Sequence, residues 1–251
     1  MRFGFYFRAA PRDDQTGGAP DRLRAPATWS LRDKDPTANR GGTMTLEHWD
    51  QNTRKYVLYR NTGEHSEDCK RFPFERIPKR VFLDTNVINV LVKHCERVFD
   101  HAPIPVDTDA TLAADIEALR HVFYVGARAN WDILGSQKTL DELSRTRDSS
   151  LRGDLLEYAF GIVNQDLDDH DRKYAADFGR KLIEAPFVAA LPDAADRELI
   201  GNAIGFGCDV FCTRDRATIV SKPDLLRQVP LRIVTPAEWW AHIRPWAALW
   251  C

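Results

Sequence analysis

The sequence predicts an α/β domain built around a parallel sheet, and three observations support this. Short apolar runs with the length of buried strands alternate with longer segments that have helical spacing. This alternation is typical of parallel sheets covered by helices. The chain has 251 residues, of which 43% are hydrophobic, enough for one large core. No apolar run approaches the ~20 residues needed to cross a bilayer. Five scattered cysteines suit a reducing compartment, so we expect a cytoplasmic protein with no membrane partner.

Residues 1–43 differ in composition from the rest of the chain. They contain eight Lys or Arg, five Asp, five Gly and four Pro, without helical or strand periodicity. Such a segment cannot bury enough surface to offset its ordering entropy. We therefore expect a disordered leader, or an over-extended start ahead of Met44; a targeting peptide is the alternative. The net charge of residues 1–43 is +3 and that of the whole chain is −2, so residues 44–251 have a net charge of −5. This acidity excludes nucleic-acid binding by bulk positive charge, although not by a local basic groove.

The first structured elements are predicted from their hydrophobic patterns. A compact apolar run at 80–83 ends in polar residues, as a buried strand does. Apolar side chains at helical spacing predict helices at 87–99 and 111–127. The remaining predictions in this part are a strand at 55–60, a polar loop at 63–68, a strand at 131–134, and helices from 139 and at 153–165.

The last third repeats the rhythm of strands and helices. A short apolar run at 187–191 precedes a helix at 193–204, which Gly205 and Gly207 end. Strands are predicted at 209–212 and 231–234, and Pro236 opens a final helix. The acidic run 166–171 is interpreted as a solvated helix end. Four late tryptophans at helical spacing indicate core or an oligomer interface, such as a homodimer, rather than base stacking: Trp239, Trp240, Trp246 and Trp250.

Four carboxylates stand where a parallel sheet places its chemistry. Asp84 and Asp215 follow the ends of predicted strands, and Glu142 and Asp196 lie near the starts of helices. Each alone is typical of a turn or a helix cap. Because sites form at the carboxyl ends of parallel strands, all four can converge. Clustered carboxylates repel unless a divalent cation neutralises them, and hard oxygen ligands select Mg²⁺ or Mn²⁺. Such ions activate water for phosphodiester hydrolysis.

The order of these motifs resembles that of the PIN-domain nucleases. Leu-Asp-Thr-Asn-Val-Ile at 83–88 looks like the family's opening motif, and Thr-Leu-Asp-Glu-Leu at 139–143 like its second acidic motif. Residues 193–200 and 209–215 resemble the third and fourth, and 231–238 the closing strand and helix. Spacings of 58, 54 and 19 residues separate the four acids. The resemblance covers residues 80–241.

The resemblance implies a fold, a site and partners. The fold would be a PIN-like three-layer α/β fold with a central parallel sheet flanked by helices. It would follow a 44–79 extension and precede a 242–251 tail. The function would be that of a metal-dependent endoribonuclease, whose relatives include toxins of toxin–antitoxin pairs; the partners would be RNA and a protein antitoxin. Four acids would bind one or two Mg²⁺ or Mn²⁺ ions: Asp84, Glu142, Asp196 and Asp215. Three further residues would support them: Asn86, Thr213 and Asp193. Asp193 is also interpreted as merely the helix N-terminus.

Two alternatives and one further set of residues stay open. A catalytically silent PIN-like module that binds RNA or a protein is the first alternative, and the segment 92–131 between the first two strands departs from the compact toxins. The second is a haloacid-dehalogenase-like phosphatase, although Asn86 stands where that family has a second Asp. Four arginines near the acids are candidates for binding RNA phosphates or for salt bridges: Arg145, Arg147, Arg214 and Arg216.

Overall fold

A sheet of four parallel strands lies at the centre of the computed structural model. The structure describes residues 46–163, 167–189, 191, 193–222 and 229–249, so the predicted leader and Trp250 lie outside the described residues. The elements are β1 (Glu47–Asp50), β2 (Lys55–Leu58), α1 (Thr62–Arg71), β3 (Arg80–Leu83), α2 (Thr85–Lys93), α3 (Cys95–Val98), α4 (Ala110–Ala129), β4 (Asp132–Leu134), α5 (Gln137–Leu143), α6 (Ser149–Val163), α7 (Asp169–Leu182), α8 (Ala194–Gly205), β5 (Val210–Cys212), β6 (Arg232–Val234) and α9 (Pro236–Ile243).

The strand order β4-β3-β5-β6 places β3 and β5 side by side in the middle of the sheet. Leu83 pairs with Cys212, so the next residues of both strands, Asp84 and Thr213, leave the sheet together at its carboxyl edge. All three pairings are parallel. The register therefore brings the first and fourth acidic motifs together at one edge.

Helices cover both faces of this sheet, as the apolar run of β3 predicts. Val81 and Leu83 belong to a core cluster that includes residues of α2, α4, α6 and α9. Phe82 points into a second cluster that includes residues of α7 and α8. Successive residues of a strand face opposite sides, so a strand buried on both faces reads as continuously apolar. The α/β class with a parallel sheet flanked by helices is confirmed.

The predicted loop at 63–68 is wrong, because α1 occupies Thr62–Arg71. Asn61 caps this helix by accepting a hydrogen bond from the backbone N–H of Glu64 at 3.0 Å. Lys70 and Arg71 lie in the last turn, where cations favour the helix dipole. None of its residues is buried, so no apolar stripe marks it in the sequence. The capping residue and the charges of the last turn are therefore the sequence features that indicate this helix.

The interpretation of the acidic run at 166–171 as the end of a helix is wrong for the described part of the run. Asp168 caps the start of α7, accepting from the backbone N–H of His170 at 2.9 Å. Asp169 and Asp171 lie in the first turn, where negative charge is favourable. Two smaller differences accompany this one. The predicted helix at 87–99 is divided at His94, and the apolar run after residue 185 forms a 3₁₀ turn, Pro186–Val188.

Both ends of the described chain pack on the same domain. Trp49 of β1 contacts Trp240 of α9 with ring centroids 5.1 Å apart. The indole N–H of Trp246 donates to the carbonyl of Pro73 at 3.0 Å. Trp239 is fully buried. The predicted domain end at residue 241 falls inside α9, which continues to Ile243. Of the helices in the described ranges, none is both long and apolar enough to span a membrane.

Helices α7 and α8 approach closely because glycines stand between them. A Cβ added to Gly201 would lie 2.6 Å from the Cα of Gly179, whereas Gly153 on α6 has open space around it. We predict that Gly201→Ala destabilises the protein, because overpacking costs about 1–3 kcal/mol and exceeds the gain in helix propensity. Gly153→Ala is the matched control and should stabilise by about 0.5–1 kcal/mol. Urea unfolding measures both; equal stabilisation would contradict this packing.

Candidate active site

Asp84 is the buried centre of the sheet's carboxyl edge. It lies between β3 and α2, is 4% exposed, and its backbone N–H donates to the carbonyl of Cys212 at 3.0 Å. Its carboxylate accepts hydrogen bonds from the hydroxyl of Thr213 at 2.6 Å, the amide of Asn86 at 2.7 Å and the hydroxyl of Thr85 at 3.3 Å. Burial raises the pKa of Asp84, although the hydrogen bonds from Thr213 and Thr85 oppose the rise.

Two of the three predicted supporting residues, Asn86 and Thr213, hold this edge together. The buried hydroxyl of Thr213 accepts hydrogen bonds from the amide of Asn86 at 3.2 Å and from the backbone N–H of Asp215 at 3.0 Å. The side-chain oxygen of Asn86 accepts from the backbone N–H of Arg214 at 2.8 Å. Asn86 therefore ties the start of α2 to the loop after β5, and Thr213 links Asp84 to Asp215.

Glu142 on α5 joins this network through Thr85. The hydroxyl of Thr85 is 3.2 Å from Oε2 of Glu142 and 3.3 Å from Asp84, so one residue contacts both acids. Oε1 of Glu142 is buried and has no hydrogen-bond partner among the residues that the structure describes. Burial raises the pKa of Glu142, and the neighbouring charge of Asp84 raises it further.

Asp196 lies in the first turn of α8 and faces the other acids without a compensating group. Within the described residues, its side chain has no hydrogen bond or ion pair. The pKa of Asp196 is raised to about 7. Burial is the largest cause, and four neighbouring charges raise the pKa further: those of Asp84, Asp193, Asp215 and Glu142. The charges of all the other predicted metal-binding acids thus act on Asp196.

Asp215 and Asp193 also have local structural roles. Asp215 caps a π-helical turn, Arg216–Val220, and accepts from the backbone N–H and the hydroxyl of Thr218, the former at 2.8 Å. Asp193 is exposed and caps α8 through the backbone N–H of Ala195 at 2.8 Å. The Asp193 geometry matches the interpretation of this residue as the helix N-terminus.

A buried acid that the sequence analysis missed holds two of the four candidate arginines. Asp115 on α4 is fully buried. Its carboxylate accepts from Nε of Arg214 at 2.8 Å, and from Nη1 and Nη2 of Arg216 at 3.1 and 2.7 Å. Asp115 precedes Leu119 by four residues on the apolar face of α4, so an acid within that stripe was the available signal. The segment 92–131 therefore reaches the loop that carries Asp215.

The remaining two candidate arginines lie at the surface. Arg145 and Arg147 follow α5 and are both exposed. The structure thus separates the four arginines into a pair bound to a buried carboxylate and a pair exposed to solvent. Only the second pair matches the simple expectation of cations presented to RNA.

The chemistry of the acidic edge fits a hard divalent cation. In the described part of the chain, no three His, Cys, Asp or Glu side chains are already arranged as a metal site. The donors are nevertheless all carboxylate oxygens, Oε1 of Glu142 is buried and unpaired, and the pKa values of three acids are raised. A cation of charge +2 would relieve the repulsion that these features record. Asp84, Glu142, Asp196 and Asp215 are the residues that could hold it.

Comparison with known proteins adds no relative to this picture. No family model, no curated protein and no solved structure matches the chain. The function must therefore be inferred from the site.

We predict that Asp196→Asn stabilises the protein above a pH of about 7 and not near pH 3.8. Folded Asp196 keeps its proton up to about 7, whereas an ordinary Asp loses it near 3.8. The folded state binds more protons in this window, so the free energy of unfolding falls as pH rises through it. Asn removes that fall. Metal-free melting curves of wild type and Asp196→Asn across this range measure the difference; a variant less stable at high pH would contradict the repulsion.

We predict that Asp115→Asn lowers the free energy of unfolding by about 2 kcal/mol. Breaking a buried ion pair is costly, although partial exposure of both guanidinium groups reduces the cost. Asp107→Asn is the control, because Asp107 is exposed, precedes the same helix and has no side-chain partner in the described residues. Chemical denaturation compares the two, and equal stability of both variants would show that the Asp115 pairs contribute nothing.

Proposed function

We propose that this protein is a Mg²⁺- or Mn²⁺-dependent endoribonuclease with a PIN-like domain. The observation that carries the proposal is that four carboxylates at one sheet edge lie close enough for their negative charges to interact: Asp84, Glu142, Asp196 and Asp215. The pKa values of the first three are raised. Carboxylates that repel one another are unfavourable for folding. Their presence together at this edge therefore favours a site where a cation binds them.

The chain's own residues prepare this edge for a cation. Hydrogen bonds from Asn86 and Thr213 fix one oxygen of Asp84, and Thr85 places Asp84 next to Glu142. When bound, one or two such ions would activate water and stabilise charge on the leaving oxygen of a phosphodiester. The protein's contribution is to hold the acids in place before the substrate arrives, which lowers the cost of organising them.

The position of the site in the fold supports the PIN-like part of the proposal. The four motifs occur in the order that resembles this family, and the parallel pairing of β3 with β5 juxtaposes the first and the fourth. A toxin role, with a protein antitoxin as partner and a cytoplasmic location, is an extension of the same resemblance.

The charge arrangement favours an enzyme over a silent module that only binds RNA. RNA carries a negative charge on every phosphate, so an uncompensated acidic cluster would repel it. A module selected for binding alone gains nothing from that repulsion. A metal-dependent nuclease needs the acids, because they concentrate the cation at the bond to be cleaved.

We predict that RNA cleavage requires Mg²⁺ or Mn²⁺ and that Asp84→Asn abolishes it. Asn keeps the shape of the side chain but removes a negative ligand, which weakens metal binding more than packing. Asp193→Asn is the matched control: Asn also caps helices, so this variant should retain activity. The measurement is gel analysis of single-stranded and structured RNA with Mg²⁺, Mn²⁺ or EDTA, alongside circular dichroism.

Two results would overturn this mechanism. Cleavage at the wild-type rate in EDTA would exclude the metal, and full activity of folded Asp84→Asn would exclude this site. If RNA binds but no metal supports cleavage, the silent module becomes the better description.

A further inference from the structure

An acidic edge that cleaves RNA needs positive charge elsewhere to hold the strand. The four acids repel phosphates. Arg214 and Arg216, which flank Asp215, are bound to the buried carboxylate of Asp115. These two arginines are therefore engaged within the protein, and the attraction must come from another part of the surface.

A basic groove lies between α5, α6, α7 and α8. It has a volume of about 390 Å³. Four cations and two acids are among its lining residues: Lys138, Arg172, Lys173 and Arg180, against Asp141 and Glu198. The lining therefore has a net charge of +2, and Asp177, which pairs with Arg180 from outside the lining, reduces the local excess to +1. The chain as a whole has a net charge of −2, so this local excess is opposite in sign to that of the molecule.

The groove adjoins the acidic edge through two shared helices. Lys138 lies one turn before Glu142 on α5, and its charge acts on Glu142. Nζ of Lys138 pairs with Glu198 at 2.8 Å, and Glu198 follows Asp196 by two residues on α8. An RNA chain bound in the groove would therefore continue toward the four acids.

One further side chain gives the groove a feature of a nucleotide site. Phe160 lines it with 61% of its surface exposed, which is unusual for a large apolar ring. Asn202 also lines it but is only 1% exposed: its amide nitrogen donates to the hydroxyl of Ser136 at 2.9 Å, and its Oδ1 lies against Gly179 in the contact between α7 and α8.

We infer that this groove binds one nucleotide of a single-stranded RNA substrate next to the cleavage site. Lys173, exposed and without a side-chain partner in the described residues, contacts a backbone phosphate. The ring of Phe160 stacks on the base of that nucleotide. Stacking needs an unpaired base, so the groove selects single strands. The inference deepens the proposed function and rests on it for the identity of the substrate.

The test measures binding without cleavage. Full-length protein in EDTA is titrated against a fluorescein-labelled single-stranded RNA of about 12 nucleotides, a length within the range of single-strand sites. Fluorescence anisotropy gives the affinity at several salt concentrations. Lys173→Glu is compared with Lys181→Glu, an exposed residue of α7 outside the groove lining. Phe160→Ala is compared with Tyr174→Ala, which is 53% exposed and also outside it.

The groove variants should weaken binding and their controls should not. Losing a stacked base is expected to reduce affinity at least about fivefold in Phe160→Ala. Losing a phosphate contact should lower the slope of log affinity against log salt by about 1 in Lys173→Glu. Both controls should stay within about twofold of wild type, a difference well below that of one lost stacking contact.

Two outcomes would overturn the inference. Equal effects of Lys173→Glu and Lys181→Glu, with no effect of Phe160→Ala, would show general charge attraction only. Polyglutamate binding with the same dependence on all four variants would show an anion site that does not recognise bases. Failure of the proposed function is separate: groove-dependent binding without cleavage in any metal keeps the groove and rejects the nuclease, whereas cleavage with unchanged binding rejects the groove.

Discussion

The burial of Asp84 is the constraint on which the site depends. A carboxylate between β3 and α2, 4% exposed, requires donors on every side, and the chain supplies them from α2 and from the loop after β5. The same hydrogen bonds link the two central strands beyond their last pairing. Stabilising one buried charge thus organises the whole carboxyl edge, and the other acids are placed relative to it.

Electrostatics and packing act in opposite directions at this edge. The glycine contact between α7 and α8 and the two core clusters fix the helices that present Asp196 and Glu142. Bringing these acids together costs free energy, which the raised pKa values record. Such strain is typical of functional sites, where the rest of the fold keeps a locally unfavourable arrangement in place.

The sheet and the acidic motifs could be predicted because their signals are local. β3 reads as a continuous apolar run since both faces are covered, and Asp84 follows it directly. α1 and α7 could not be predicted from apolar periodicity, because polar first turns and caps define their starts. Asp115 was missed for another reason. An acid within the apolar stripe of α4 marks position 115 as unusual, but its partners lie about a hundred positions further along the chain, and no local pattern identifies partners at that separation.

The Asp115 contacts have a consequence for how this chain can change over time. A substitution of Asp115 removes the carboxylate that pairs with two guanidinium groups. A substitution of Arg214 or Arg216 leaves the buried carboxylate with fewer hydrogen-bond donors. Each single step is costly, while a combined replacement by apolar residues of similar volume is not. Among descendants of this sequence, the three positions should therefore vary as a unit, and chimaeras that exchange α4 without the loop after β5 should fold poorly.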